Sequence, residues 1–144
     1  MSDEAMDVDE VIRRMNEALV LQLRSVLQYT VAAGSIGGLA YVGLADRWWS
    51  YAEAELVDAR RMVEKIVALG GEPATDVPSP PFALDAADAT KALIECEQDI
   101  IAKLHGVIPK TGQEPRSEAL EHLVEHVICR KQEQVDQLVR ALGS

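Results

Sequence analysis

Residues 72–84 read EPATDVPSPPFAL, with four prolines in that stretch. Proline lacks a backbone donor and clashes with the preceding helical turn, so this segment is not helix. Helical periodicity is strong on both sides of it. The chain therefore divides into two helical halves. The link between them is long enough, at about 3.3 Å per extended residue, to run the length of a helix.

Each half contains two periodic segments. The first helix is expected from about Val8 to Ser35, with a seam of Val8, Ile12, Met15, Leu19, Gln22, Val26, Tyr29 and Ala33; Gly34, Gly37 and Gly38 end it. The second runs from Leu39 or Gly43 to Leu69, with a seam of Ala45, Trp48, Ala52, Glu55, Ala59, Met62, Ile66 and Leu69, and Gly70-Gly71 closes it. The third starts after Asp85, a good N-cap, with Asp88 in its first turn. Its seam is Thr90, Leu93, Glu97, Ile100, Leu104 and Val107, and Pro109 should stop it. The fourth runs from Pro115 to Leu142, with Leu120, Val124, Val127, Lys131, Gln134 or Val135, Leu138 and Leu142 in its seam.

Short connections make helices one and two, and helices three and four, antiparallel hairpins. Two hairpins joined by one long crossover make an all-α four-helix bundle of the kind that houses metal sites in its core. A chain of 144 residues suits one domain with one core. Aromatic residues are only 4% of the chain, which favours helices over a β-sandwich. The net charge of −10 argues against nucleic acid or an anionic membrane surface as a partner. No apolar run reaches the roughly 18 residues of a membrane span. The acidic start, MSDEAMDVDE, has no export signal. Cys96 and Cys129 form no CxxC or zinc spacing, and both are expected to act as small hydrophobes in a reducing compartment, the cytoplasm.

Each seam is apolar except near its middle. There the four helices carry Gln22, Glu55, Glu97 and Lys131, with Asp58 three residues after Glu55 and Gln134 three after Lys131. In a bundle with aligned ends, these six side chains meet at one level of the core. VIRRMNEALVLQLRSVLQY and VDARRMVEKIVALGGEP resemble the first helix and the end of the second helix of the bacterioferritin branch of the ferritin-like superfamily. That resemblance extends over nearly the whole chain. It implies a di-iron pattern of a Glu from each of two helices plus Glu-x-x-His from each of the other two. Carried over, Glu55 and Glu97 match ligands, and Asp58 stands at a histidine position. Gln22 stands at a glutamate position, and Lys131 and Gln134 replace the second Glu-x-x-His. The ligand set that remains is Gln22, Glu55, Asp58, Glu97 and Gln134. It suits at most a weakly held iron or other divalent cation, through hard oxygen donors.

Lys131 is the obstacle. A charged ammonium has three donors and no lone pair. It repels a cation by about 4 kcal/mol per pair of unit charges 4 Å apart at an effective dielectric of 20. The expectation is that Lys131 stands in for a metal and pairs with Glu97, Glu55 or Asp58.

Other features are weighed beside this cluster. His122-Leu-Val-Glu125-His126 spells H-x-x-E-H, but its histidines fall about 200° from the seam and should face solvent. The resemblance implies a haem-ligating methionine just after Glu55; here that residue is Leu56, so no haem is expected. Tyr29 matches a family tyrosine near the metals. Val20, Leu27 and Val31 give the first helix a second apolar face, which predicts a homodimer or larger homo-oligomer through the first two helices. The chain ends near Leu142, without the short fifth helix of bacterioferritins, so a 24-subunit shell is not expected. Three functions stay open: an iron-homeostasis protein whose ferroxidase centre has decayed, a metal-free dimeric structural module, and a single-metal oxidase on Glu55, Asp58 and Glu97.

Overall fold

The computed structural model describes residues 5–143; residues 1–4 of the acidic start and Ser144 lie outside them. Four long helices, α1 (Val8–Ser35), α2 (Val42–Ala68), α3 (Ala86–His105) and α4 (Pro115–Gly143), form the bundle. α1 packs against α2 and α3, and α4 packs against α3 and α2. Residues 72–83 have no helical or extended pairing and make the crossover, as their prolines require.

Local chemistry sets the ends. The Asp7 carboxylate accepts from the Glu10 N–H, and the Asp85 carboxylate accepts from the Asp88 N–H, so both caps satisfy first-turn donors. α3 stops at His105, four residues before Pro109; the Gly106 N–H already bonds the carbonyls of Ala102 and Lys103 there. Pro109 instead sits in a short 3-10 turn, Ile108–Lys110. Gly38, at φ 95°, lets the first hairpin turn.

Two close approaches hold the ends of the bundle together. A Cβ on Gly71 would lie 2.7 Å from Ile12 Cγ2. At the crossover start the Asn16 side chain donates to the Glu72 carbonyl at 3.0 Å and accepts from the Ala74 N–H at 2.8 Å. Gly112, at φ 72°, lies where a Cβ would meet the Ala5 carbonyl at 2.6 Å. Beside it the Asp7 N–H bonds the Lys110 carbonyl.

Two apolar clusters fill the core above and below the polar mid-level. One gathers Met15, Leu19, Met62, Ile66, Ile100, Leu104, Val124 and their neighbours. The other holds Tyr29, Trp48, Ala52, Leu93 and Leu138. The predicted seams of α2, α3 and α4 are buried through their central turns. α1 differs. Met15, Leu19, Gln22 and Tyr29 are buried as expected, but Val8, Ile12, Val26 and Ala33 are only half-buried, and Val11, Ala18, Ser25, Gln28 and Ala32 are buried instead. A straight helix of 3.6 residues per turn drifts about 20° per heptad from a 3.5 repeat, which a strict heptad reading ignores. Cys96 is buried, whereas Cys129 is exposed on α4, so only the first behaves as a small hydrophobe. Among the described residues no helix is long and apolar enough to cross a membrane.

Candidate functional site

The polar residues of the four seams converge. Gln22 on α1, Glu55 and Asp58 on α2, Glu97 on α3, and Lys131 and Gln134 on α4 are all at most 3% exposed. Glu55, Glu97 and Lys131 project inward because each falls in phase with apolar neighbours about one turn away: Glu55 between Ala52 and Ala59, Glu97 between Leu93 and Ile100, Lys131 between Val127 and Val135.

Glu55 is the hub. Its Oε2 accepts from Gln22 Nε2 at 2.6 Å and from Lys131 Nζ. Its Oε1 accepts from Gln134 Nε2 at 2.9 Å and Arg130 Nη2 at 3.0 Å. Four donors saturate this carboxylate. Glu97 Oε1 accepts from Lys131 Nζ at 2.9 Å and Ser25 Oγ at 3.2 Å, and its Oε2 accepts from Gln134 Nε2 at 2.7 Å. Asp58 Oδ2 accepts from Arg130 Nε at 2.6 Å. Arg130 Nη1 donates to Gln134 Oε1, which fixes that amide's orientation. The Tyr29 hydroxyl lies 3.4 Å from Gln134 Nε2, so this residue reaches the cluster as the resemblance implied. Within the cluster, Gln22 Oε1 is buried without a partner among the described residues.

Arg130 was not foreseen. It lies one residue before the seam position Lys131, outside the apolar stripe. Its side chain, 19% exposed, turns inward and pairs with both Glu55 and Asp58. Two sequence signals point to it. Arg130 is four residues before Gln134 and so shares its helix face. In addition, three carboxylates against one ammonium left an imbalance that called for a second cation.

The two cations occupy two distinct places. Lys131 Nζ lies between Glu55 and Glu97, and the Arg130 guanidinium lies between Glu55 and Asp58. With all groups ionised, three carboxylates and two cations leave one negative charge. Burial pushes the Glu55 carboxyl up, but Lys131 and Arg130 outweigh it and hold Glu55 below the usual carboxylate range. Burial also pushes Glu97 up, and the Glu55 charge adds to this against Lys131, so Glu97 ends above its ordinary value. Burial and the charges of Glu97 and Glu55 raise the Tyr29 hydroxyl well above its ordinary value, so it stays neutral.

This donor set does not fit a di-metal centre. The spaces between the carboxylates hold nitrogen cations, both imidazoles of the pattern are missing, and every oxygen of Glu55 and Glu97 is already engaged. Among the described residues no three His, Cys, Asp or Glu side chains are grouped as a metal would need. His122 and His126 are exposed, as their phase required, and take no part. Leu56, where the resemblance would put a haem-ligating methionine, is 56% exposed on α2 and offers no lone pair.

Comparison with solved structures shows the same architecture elsewhere. A ferritin-like, diiron-carboxylate protein from Bacillus anthracis superposes with a TM-score of 0.88 at 24% identity, over 94% of this chain and 97% of that one. BfrA from Mycobacterium tuberculosis gives 0.83 at 21% identity, over 93% and 83%. The bacterioferritin-related dodecameric thioferritin from Bacteroides fragilis gives 0.85 at 21% identity, over 96% and 87%. At these identities the likeness shows the fold. No protein of curated function matches the sequence. The sequence pattern of the ferritin-like domain, however, matches residues 12–144, nearly the whole chain. With its two hairpins, long crossover and polar mid-level, this chain belongs to the ferritin-like domain family.

Proposed function

We propose that this chain is a non-catalytic ferritin-family subunit of iron homeostasis, whose core is closed by its own cations. The observation that carries this reading is the fully buried Lys131 ammonium between Glu55 and Glu97. Arg130 serves the same purpose between Glu55 and Asp58. A divalent cation would have to displace one of them and leave that charge without its buried partners. The single-metal oxidase on Glu55, Asp58 and Glu97 is disfavoured for this reason, and Gln22 and Gln134 act as hydrogen-bond donors rather than metal ligands.

The role left to such a subunit is structural. We place it in a homo-oligomer built through the outer faces of α1 and α2. Leu27 and Val31 on α1 and Trp49 and Leu56 on α2 are all more than 40% exposed. Trp49 shares a shallow outer depression with Thr30, Ala33 and Gly34 of α1. Exposed apolar residues grouped in this way mark an interaction face. The dodecamer of the Bacteroides fragilis protein supports assembly beyond a monomer. The free Cys96 and Cys129 accord with a reducing cytoplasm, and haem has no ligand at Leu56.

The test is ferrous oxidation measured beside sizing in solution. The purified chain should oxidise ferrous ion no faster than buffer. It should elute as a dimer or larger, and Trp49→Asp with Leu56→Asp should shift it to monomer. Oxidation clearly above the blank, abolished by Glu97→Ala, would favour the single-metal oxidase instead.

A further inference from the structure

Away from the ion-pair core, a cleft opens between the start of α2 and the end of α4. Its volume is about 610 Å³, within the range of small-molecule sites. Leu44, Trp48 and Leu138 give it apolar walls, and Arg47 and Arg140 bring two guanidiniums. None of its nine lining residues is acidic, although the whole chain has 24 acidic against 14 basic side chains. The local sign of charge is thus opposite to that of the molecule.

The wall itself carries a buried donor that is not satisfied within the protein. Trp48 is fully buried, yet its Nε1 has no hydrogen-bond partner among the described residues. Buried indole N–H groups normally find an acceptor. Gln137 Oε1 is already shared, since it accepts from Arg47 Nη1 at 2.9 Å and from the Tyr51 hydroxyl. A ligand suited to this place brings an anionic acceptor for the arginines together with an apolar body for Leu44, Leu138 and the Trp48 ring. A phosphate ion supplies only the first, and an alcohol of equal length only the second.

We propose that this cleft binds a small organic monocarboxylate with an apolar tail. The carboxylate meets the guanidiniums of Arg47 and Arg140, and the tail lies against Leu44, Trp48 and Leu138. The site is independent of the metal question, because no residue of the ion-pair cluster lines it.

Trp48 and Trp49 are the two tryptophans, so Trp49→Phe leaves Trp48 as the sole indole reporter. Titrating that variant with octanoate should shift the Trp48 indole N–H resonance saturably. Octanol and inorganic phosphate should bind at least tenfold more weakly. Arg140→Ala, an exposed change, should weaken octanoate at least tenfold while the circular dichroism stays unchanged. The proposal is overturned by an absent or non-saturating shift, by octanol or phosphate matching octanoate, or by unchanged affinity in Arg140→Ala. It is equally overturned if Arg140→Ala changes the size of the assembly, since the cleft would then be an interface between copies of this chain.

Discussion

Lys131→Met is expected to lower the unfolding free energy at pH 7 by about 3–5 kcal/mol, the usual cost of removing one partner from a buried ion pair. Methionine fills similar space, so the loss is electrostatic rather than a cavity effect. Glu97 loses its cationic partner, and Glu55 keeps only Arg130. The pH dependence carries a further signature. In the native chain, Glu55 is held below its ordinary value, so its contribution is present above the unfolded value of about 4.3 and is lost as pH falls through the lower folded value. Glu97 is raised and acts oppositely: its share is greatest below about 4.3 and fades as pH rises through its folded value. Without Lys131, Glu97 has no cation to offset burial and the Glu55 charge, so its carboxyl rises further. The deficit of Lys131→Met should therefore shrink as pH falls from 7 toward about 4.3. Adding Glu97→Gln should recover at least half of the deficit at pH 7, because an uncompensated charge is removed with it. Denaturant titrations across that range measure all three effects, and a deficit independent of pH would assign the loss to packing.

Lys131→Glu should convert the cluster from an ion-pair core into a cation site. The charge reversal replaces an ammonium with a fourth carboxylate at the place between Glu55 and Glu97. The apoprotein should be strongly destabilised by four buried carboxylates facing one guanidinium. Manganous or ferrous ion should restore it, by about 2.7 kcal/mol when the metal is at a hundred times its Kd. Stoichiometry distinguishes the two cation positions. Lys131→Glu alone should bind one metal per chain, because Arg130 still fills the place between Glu55 and Asp58. Adding Arg130→Ala should raise this to two. Thermal melts with and without metal, together with metal analysis, give both numbers. A Lys131→Glu protein whose melting does not respond to either metal would mean that position 131 does not look into the carboxylate cluster.

Much of this architecture could be read from the chain alone, and the reasons differ by element. Pro73, Pro78, Pro80 and Pro81 exclude helix by covalent structure, so the crossover was legible without any packing argument. The seams of α2 and α4 were legible because both helices are apolar in a narrow stripe, and Glu55 and Lys131 stand out against it. α1 was less legible, since its several alanines and two apolar faces leave the buried side undecided; Ser25, which reaches Glu97, was overlooked there. Arg130 escaped because seam arithmetic locates a Cβ, whereas a long guanidinium stem can cross a quarter turn and bury its head beside a carboxylate. Cys129 was misjudged from the average behaviour of its residue type, while its position next to Arg130 lies on the outer half of α4. The six converging side chains were legible, but the balance of charge among them was not, because it depends on a neighbour outside the stripe.

The most direct test is anomalous diffraction from crystals of the native protein soaked in ferrous or manganous ion. The account predicts continuous density for Lys131 Nζ between Glu55 and Glu97, Arg130 against Asp58, and no anomalous peak in the core. An anomalous peak between Glu55 and Glu97, with Lys131 swung out to solvent, would contradict it.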